Sequence, residues 1–128
     1  MDEAGMTVYE AVGGDQFFVD LVDRFYAGVA DDPVLLPLYP EQDDLTGAKD
    51  RLALFLIQYW GGPTTYSDTR GHPRLRMRHA PFVIGQAERD AWMARMTEAV
   101  DGAEDLHPEL HTRFLEYFTM AADHLVNR

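Results

Sequence analysis

Every apolar stripe in this chain recurs at spacings of three and four. The longest, Leu110, Phe114, Tyr117, Phe118, Ala121 and Leu125, keeps that period through most of a predicted helix over 108–126. No stretch alternates apolar and polar residues with period two between hairpin turns, which restricts the chain to an all-α fold. Three further stripes follow the same rule. Phe18, Leu21, Val22, Phe25, Tyr26 and Val29 share one face of a helix that Asp15 is placed to cap. Leu45, Ala48, Leu52, Phe55, Leu56 and Tyr59 mark a helix over about 45–60, and Ala91, Trp92, Met96 and Val100 one over about 86–100.

Between these four helices the punctuation is local. Thr7 and Glu10 stand at capping-box spacing, so a brief helix is expected there, stopped by Gly13-Gly14. Asp32-Pro33 restarts a helix that Pro37 and Pro40 limit to a turn or two, with Tyr39 at its end. The acidic run Glu41 to Asp44 is expected to be a solvated loop whose charge suits the start of the next helix. Gly61-Gly62-Pro63 is a strong stop, and residues 63–71 show no period, which predicts a loop.

That loop leads into His72-Pro73-Arg74-Leu75-Arg76-Met77-Arg78-His79-Ala80-Pro81-Phe82. Pro73 and Pro81 bracket room for one or two helical turns, because proline suits a helix start and cannot continue one. His79 therefore ends a short, stiff element with Met77, Ala80 and Phe82 as apolar neighbours and Arg74, Arg76 and Arg78 as adjacent cations. The whole chain is strongly acidic, with a formal net charge of -11, so this basic run calls for an anion beside it. The same charge argues against a nucleic-acid partner.

Composition bounds the rest. At 128 residues a single domain is expected, with 1–6 as a flexible extension. There is no cysteine, so disulfides, thiolate nucleophiles and covalent attachment of haem through C-x-x-C-H are excluded. No apolar run approaches the roughly 20 residues that cross a bilayer and the start lacks a secretory pattern, so no membrane association and a cytoplasmic location are expected.

The other histidines are weaker candidates. His107 and His111 have i, i+4 spacing, but Pro108 puts His107 at or before the helix start and spoils the shared face. His124 beside Asp123 reads as a surface residue, and His72 before a proline as a cap or loop anchor. A lone histidine such as His79 is more often a satisfied core residue than a ligand. Pattern alone leaves both readings open, and the arginines equally fit a solvated face. Nor is there a glycine-rich phosphate loop or a visible catalytic triad.

The motifs Gln58-Tyr59-Trp60-Gly61-Gly62-Pro63, His72-Pro73-Arg74-Leu75-Arg76-Met77-Arg78-His79 and Asp90-Ala91-Trp92 occur in this order and spacing, with Tyr9-Glu10-Ala11-Val12-Gly13-Gly14, Arg24-Phe25-Tyr26 and Leu38-Tyr39-Pro40 before them. In these the sequence resembles the truncated haemoglobins of the second group, of the actinobacterial type, over nearly its whole length. The resemblance implies a two-over-two helical sandwich, a shortened globin fold, holding haem b non-covalently with His79 as proximal iron ligand. It implies three distal donors, Tyr26, Tyr39 and Trp92. The pocket is expected to include Ala48, Leu52, Phe55 and Phe82, with Tyr66, Arg76 and Arg78 toward the haem propionates. Ala48 stands where globins often carry a histidine gate. The loop at Glu41 to Asp44 is one residue longer than the family pattern, and Thr64 stands where arginine is common.

The function implied by the resemblance is binding of dioxygen and other diatomic ligands with strong distal hydrogen bonding. Peroxidase-like or nitric-oxide-detoxifying chemistry is the alternative, and the sequence leaves room for an unidentified reductase and for a homodimer. From composition alone, a small helical interaction module without haem is a third reading.

Overall fold

The computed structural model describes residues 6–128, and all regular structure in them is helical. The order is α1 (Val8–Ala11), α2 (Asp15–Ala30), a 3₁₀ turn (Leu36–Leu38), α3 (Thr46–Tyr59), α4 (Thr65–Arg70), α5 (Leu75–His79), α6 (Gln86–Asp101) and α7 (Pro108–Leu125). Of the extension expected at 1–6, residues 1–5 lie outside the described residues. The four long helices pack as two pairs, α2 on α3 and α6 on α7, with α2 and α6 joining them. This is the two-over-two arrangement, and α5 leans on α7 at its edge.

The core is where the stripes meet. Phe18, Phe25, Phe114 and Phe118 are fully buried with Leu21, Leu56, Met96 and Val100, each large apolar side chain contributing roughly 1.5–3 kcal/mol on transfer from water. Phe18 and Phe114 meet edge-on at 6.2 Å, and Trp60 closes on Phe114 at 4.8 Å. On α7 the sealed residues are Phe114, Phe118 and Ala122, with Tyr117, Ala121 and Leu125 half-buried beside them.

Helix α3 departs from its predicted stripe. Its sealed residues are Ala53, Leu56 and Ile57, followed by Trp60, whereas Leu45, Ala48, Leu52 and Phe55 are only half-buried and Tyr59 is exposed. The helix is apolar on two faces; of the predicted stripe only Leu56 is sealed, and Ala53 and Ile57 beside it complete the buried face. Helix α6 behaves similarly: Met96, Ala99 and Val100 are sealed while Ala91 and Trp92 are half-buried.

Two local expectations change. The loop predicted for 63–71 contains helix α4, because the Gln58 side chain holds Ser67 on both sides, accepting from its N–H at 2.9 Å and donating to its hydroxyl at 2.8 Å. That short helix has a single buried side chain, Tyr66, so it could show no apolar period. Asp15 is not the cap of α2 but its first residue. Gly14 takes the cap position, and the Asp15 carboxylate accepts the Tyr9 hydroxyl at 2.7 Å. The capping box at Thr7 forms as predicted, with Glu10 N–H donating to the Thr7 hydroxyl and Thr7 N–H to the Glu10 carboxylate.

Helix α1 sits against the end of α3. Tyr9 N–H donates to Trp60 O at 2.9 Å, and a Cβ on Gly61, which has φ of 103°, would lie 2.6 Å from Thr7. Only glycine allows both that backbone conformation and that approach.

Candidate functional site

Helix α5 is the short element the proline bracket predicted, and it ends on His79. Arg74 starts it in the left-handed region, φ 44° and ψ 51°, and its N–H is held by His72 Nδ1 at 3.2 Å. His72 is thus the loop anchor expected of it. One turn later, His79 Nδ1 lies 2.6 Å from Leu75 O. A carbonyl only accepts, so Nδ1 carries the proton and the Nε2 lone pair is left free, the tautomer of a metal-ligating histidine. Phe82 stands beside the ring at 6.4 Å between centroids.

The two flanking arginines are tied to backbone. Arg78 donates through Nε to Pro73 O at 2.6 Å and through Nη2 to Arg70 O at 2.8 Å, folding the approach segment onto α5. Arg76 turns to α7, where Nη1 donates to His124 O and, at 3.2 Å, to Val126 O. Tyr66, buried, joins α4 to α3 through Phe55 at 5.7 Å and has the Arg78 guanidinium 5.9 Å from its ring. The residues expected near the propionates therefore gather around α5, though both arginines already serve carbonyls there.

Tyr26, Tyr39 and Trp92 form a separate group. The ring of Tyr26 meets Tyr39 at 5.6 Å and Phe25 at 4.9 Å, both edge-on, while Trp92 packs 5.3 Å from Phe25 and 5.7 Å from Phe118. Burial raises the Tyr26 phenol far above its ordinary range, with Tyr39 adding to it, and burial raises Tyr39 as well. Both therefore stay protonated donors at any physiological pH. None of the three polar tips is among the sealed, unpartnered atoms of the described residues.

Two residues outside the predicted site brace this group. Asp32 is buried, and its Oδ1 accepts from Val34 N–H at 2.8 Å and Leu35 N–H at 3.1 Å, capping the turn that leads to Tyr39. Its Oδ2 faces Arg95 Nη1 at 3.6 Å, one helical turn beyond Trp92. The arginine stem crosses α2 at Gly28, where a Cβ would meet Arg95 Cδ at 2.8 Å. Asp32-Pro33 carried the signal for the cap, whereas nothing local marked Arg95 as its partner. His107 and His111 do not converge: His107 caps Glu109 N–H, and His111 pairs with Asp101 at 2.7 Å.

The pieces fit haem. The half-buried face of Ala48, Leu52 and Phe55 suits a flat apolar ring, the free Nε2 of His79 suits its iron, and neutral phenol and indole donors suit a small polar ligand. A helical two-over-two fold with those parts is that of a globin. The chain belongs to the bacterial-like globin family, which matches residues 7–127. It is similar to a thermostable hemoglobin from the actinobacterium Thermobifida fusca, 57% identical with a TM-score of 0.92 over 95% of this chain and 98% of that one. It is 40% identical to the group 2 truncated hemoglobin YjbI of Bacillus subtilis over 94% of this chain and 88% of that protein. The solved truncated oxygen-avid haemoglobin from Bacillus subtilis aligns at 39% identity and a TM-score of 0.87, covering 95% of this chain and all of that one. Membership brings non-covalently bound haem and the binding of small diatomic ligands.

Proposed function

We propose that this protein binds dioxygen at haem b and releases it slowly, with His79 as the proximal ligand. When bound, haem would supply an iron able to take a diatomic ligand. The observation that carries the reading is the His79 tautomer: Nδ1–H is held by Leu75 O, which orients the imidazole and raises its basicity toward iron.

Tyr26, Tyr39 and Trp92 are the donors on the ligand side, each presenting an O–H or N–H from an apolar ring where dioxygen draws negative charge. Ala48 leaves that side without a gating side chain, and Leu52 and Phe55 keep it dry. The related haemoglobin described as oxygen-avid supports strong retention here. Tyr66, Arg76, Arg78 and Phe82 complete the pocket, the two arginines with donors beyond those already given to carbonyls. The three donors would also polarise a peroxide, so peroxidase-like or nitric-oxide chemistry is the alternative reading. In the described residues no helix is long and apolar enough to cross a membrane.

The test is spectroscopic. The purified ferrous protein with haem should show a Soret band that shifts on admitting oxygen, and His79→Ala should lose that band's native position. An unchanged spectrum in His79→Ala would remove the histidine from the role. Turnover of peroxide with a reductant well above free haem would move the balance to the alternative.

A further inference from the structure

The segments on both sides of His79 are held by residues at the end of α7 and just past it. Beyond the histidine, Ile84 N–H donates to Asn127 Oδ1 at 2.9 Å, Asn127 N–H donates back to Ile84 O at 2.8 Å, and Asn127 Nδ2 donates to Phe82 O at 2.8 Å. Before it, Arg76 donates to the carbonyls of His124 and Val126. Arg89, at the start of α6, closes the same corner on Asp123 at 2.8 Å.

We propose that Asn127, with Arg76, is a positioning residue for His79: a clasp that sets the orientation of the imidazole by fixing the chain three to five residues beyond it and three before it. Helix α5 spans five residues, so it has little rigidity of its own and no side chain sealed in the core. Among the described residues, α7 is the helix it packs against most. Asn127 uses three of its four local polar groups, side-chain amide nitrogen, side-chain oxygen and backbone N–H, on the segment that leaves His79. The Phe82 it holds also donates its own N–H to His79 O at 3.0 Å. A displacement at residue 82 therefore reaches the histidine backbone through one hydrogen bond. Pro81 transmits it stiffly, because its φ is fixed.

This inference rests on His79 being the iron ligand, and the experiment separates the two. Asn127→Ala is made in the full chain, with Asn127→Asp beside it, which keeps the acceptor for Ile84 N–H and loses the donor to Phe82 O. Three quantities are read: haem-loss rate to an excess of an apoprotein acceptor, the iron–histidine stretching band of the ferrous protein, and amide exchange of Ile84 in the haem-free protein. Asn127→Ala should speed haem loss about tenfold, broaden or shift the band and expose the Ile84 amide, whereas Asn127→Asp, which sets a carboxylate against Phe82 O, should shift the band and speed haem loss while the Ile84 amide stays protected. Asn127 is exposed, so the variant removes no side chain from the core. Arg76→Met should likewise speed exchange at Asn127 in the haem-free protein, where propionates play no part. An Ile84 amide that opens in Asn127→Ala while band and haem-loss rate stay as in the parent would overturn the positioning role. An iron–histidine band that survives His79→Ala would instead overturn the reading beneath it.

Discussion

The two groups of candidate site residues are built by opposite means. Tyr26, Tyr39 and Trp92 hang from the core: Tyr26 is buried on α2, Trp92 is wedged between Phe25 and Phe118, and Tyr39 follows a turn capped by buried Asp32. His79 sits on a helix of five residues with nothing buried, held by hydrogen bonds that involve Leu75, Arg78, Arg76 and Asn127. Packing fixes one side and polar tethers the other. The Tyr26, Tyr39 and Trp92 group thus shares the stability of the whole fold, while the element that carries His79 opens with the fluctuations of its local contacts.

The largest test of this contrast is His79→Ala. Loss of the ligand should weaken haem retention by more than about 100-fold, beyond the effect of altering groups that only hydrogen-bond to a ligand, with the fold intact by circular dichroism. A fold that collapses would make the tethered side part of the core after all. Next is Phe118→Ala, which should lower the unfolding free energy of the haem-free protein by roughly 3–5 kcal/mol in urea titration. It should also release Trp92 toward solvent, read by its fluorescence. The same substitution should leave amide exchange at Ile84 nearly unchanged until global unfolding.

A smaller effect is expected from alkali. Tyr26 is raised above its ordinary value of 10.0 chiefly by burial, and Tyr39 and Tyr117 are raised by the same cause. The folded phenols stay neutral where the unfolded ones ionise, so stability is full below about pH 10 and falls above it, by up to roughly 1.4 kcal/mol per pH unit for each such phenol. Their phenolate absorbance should appear only with unfolding; early titration of Tyr26 would show the packed group to be wet. Smallest is Tyr39→Phe, which removes one donor and should speed ligand dissociation about five- to tenfold by stopped flow while haem loss holds steady.

Legibility in the sequence divides along the same line. The packed side was visible because stripes at three and four placed Tyr26 and Trp92 with core residues, and because Asp32-Pro33 announced the turn before Tyr39. The proline bracket likewise announced α5. What stayed hidden depends on distant partners: α4 forms because Gln58 grips Ser67, Arg95 matters because Asp32 reaches it, and Asn127 because Ile84 does. The stripe on α3 carried more than core packing. Ala48, Leu52 and Phe55 mark a face that protein leaves half-covered, beside the sealed Leu56 of the same stripe.

The seat of α1 on Gly61 bears on the order in which the chain assembles. Thr7 and Tyr9 meet residues 60–62, far along the sequence, through one backbone hydrogen bond and a close fit to glycine. So short a helix has no nucleus of its own, and a contact of such long sequence separation closes late. The Tyr9 amide should therefore be among the first to exchange from the native protein, and Gly61→Ala should unseat α1 while α2 and the aromatic core fold as before. The amino-terminal turn acts as a latch on a completed globin.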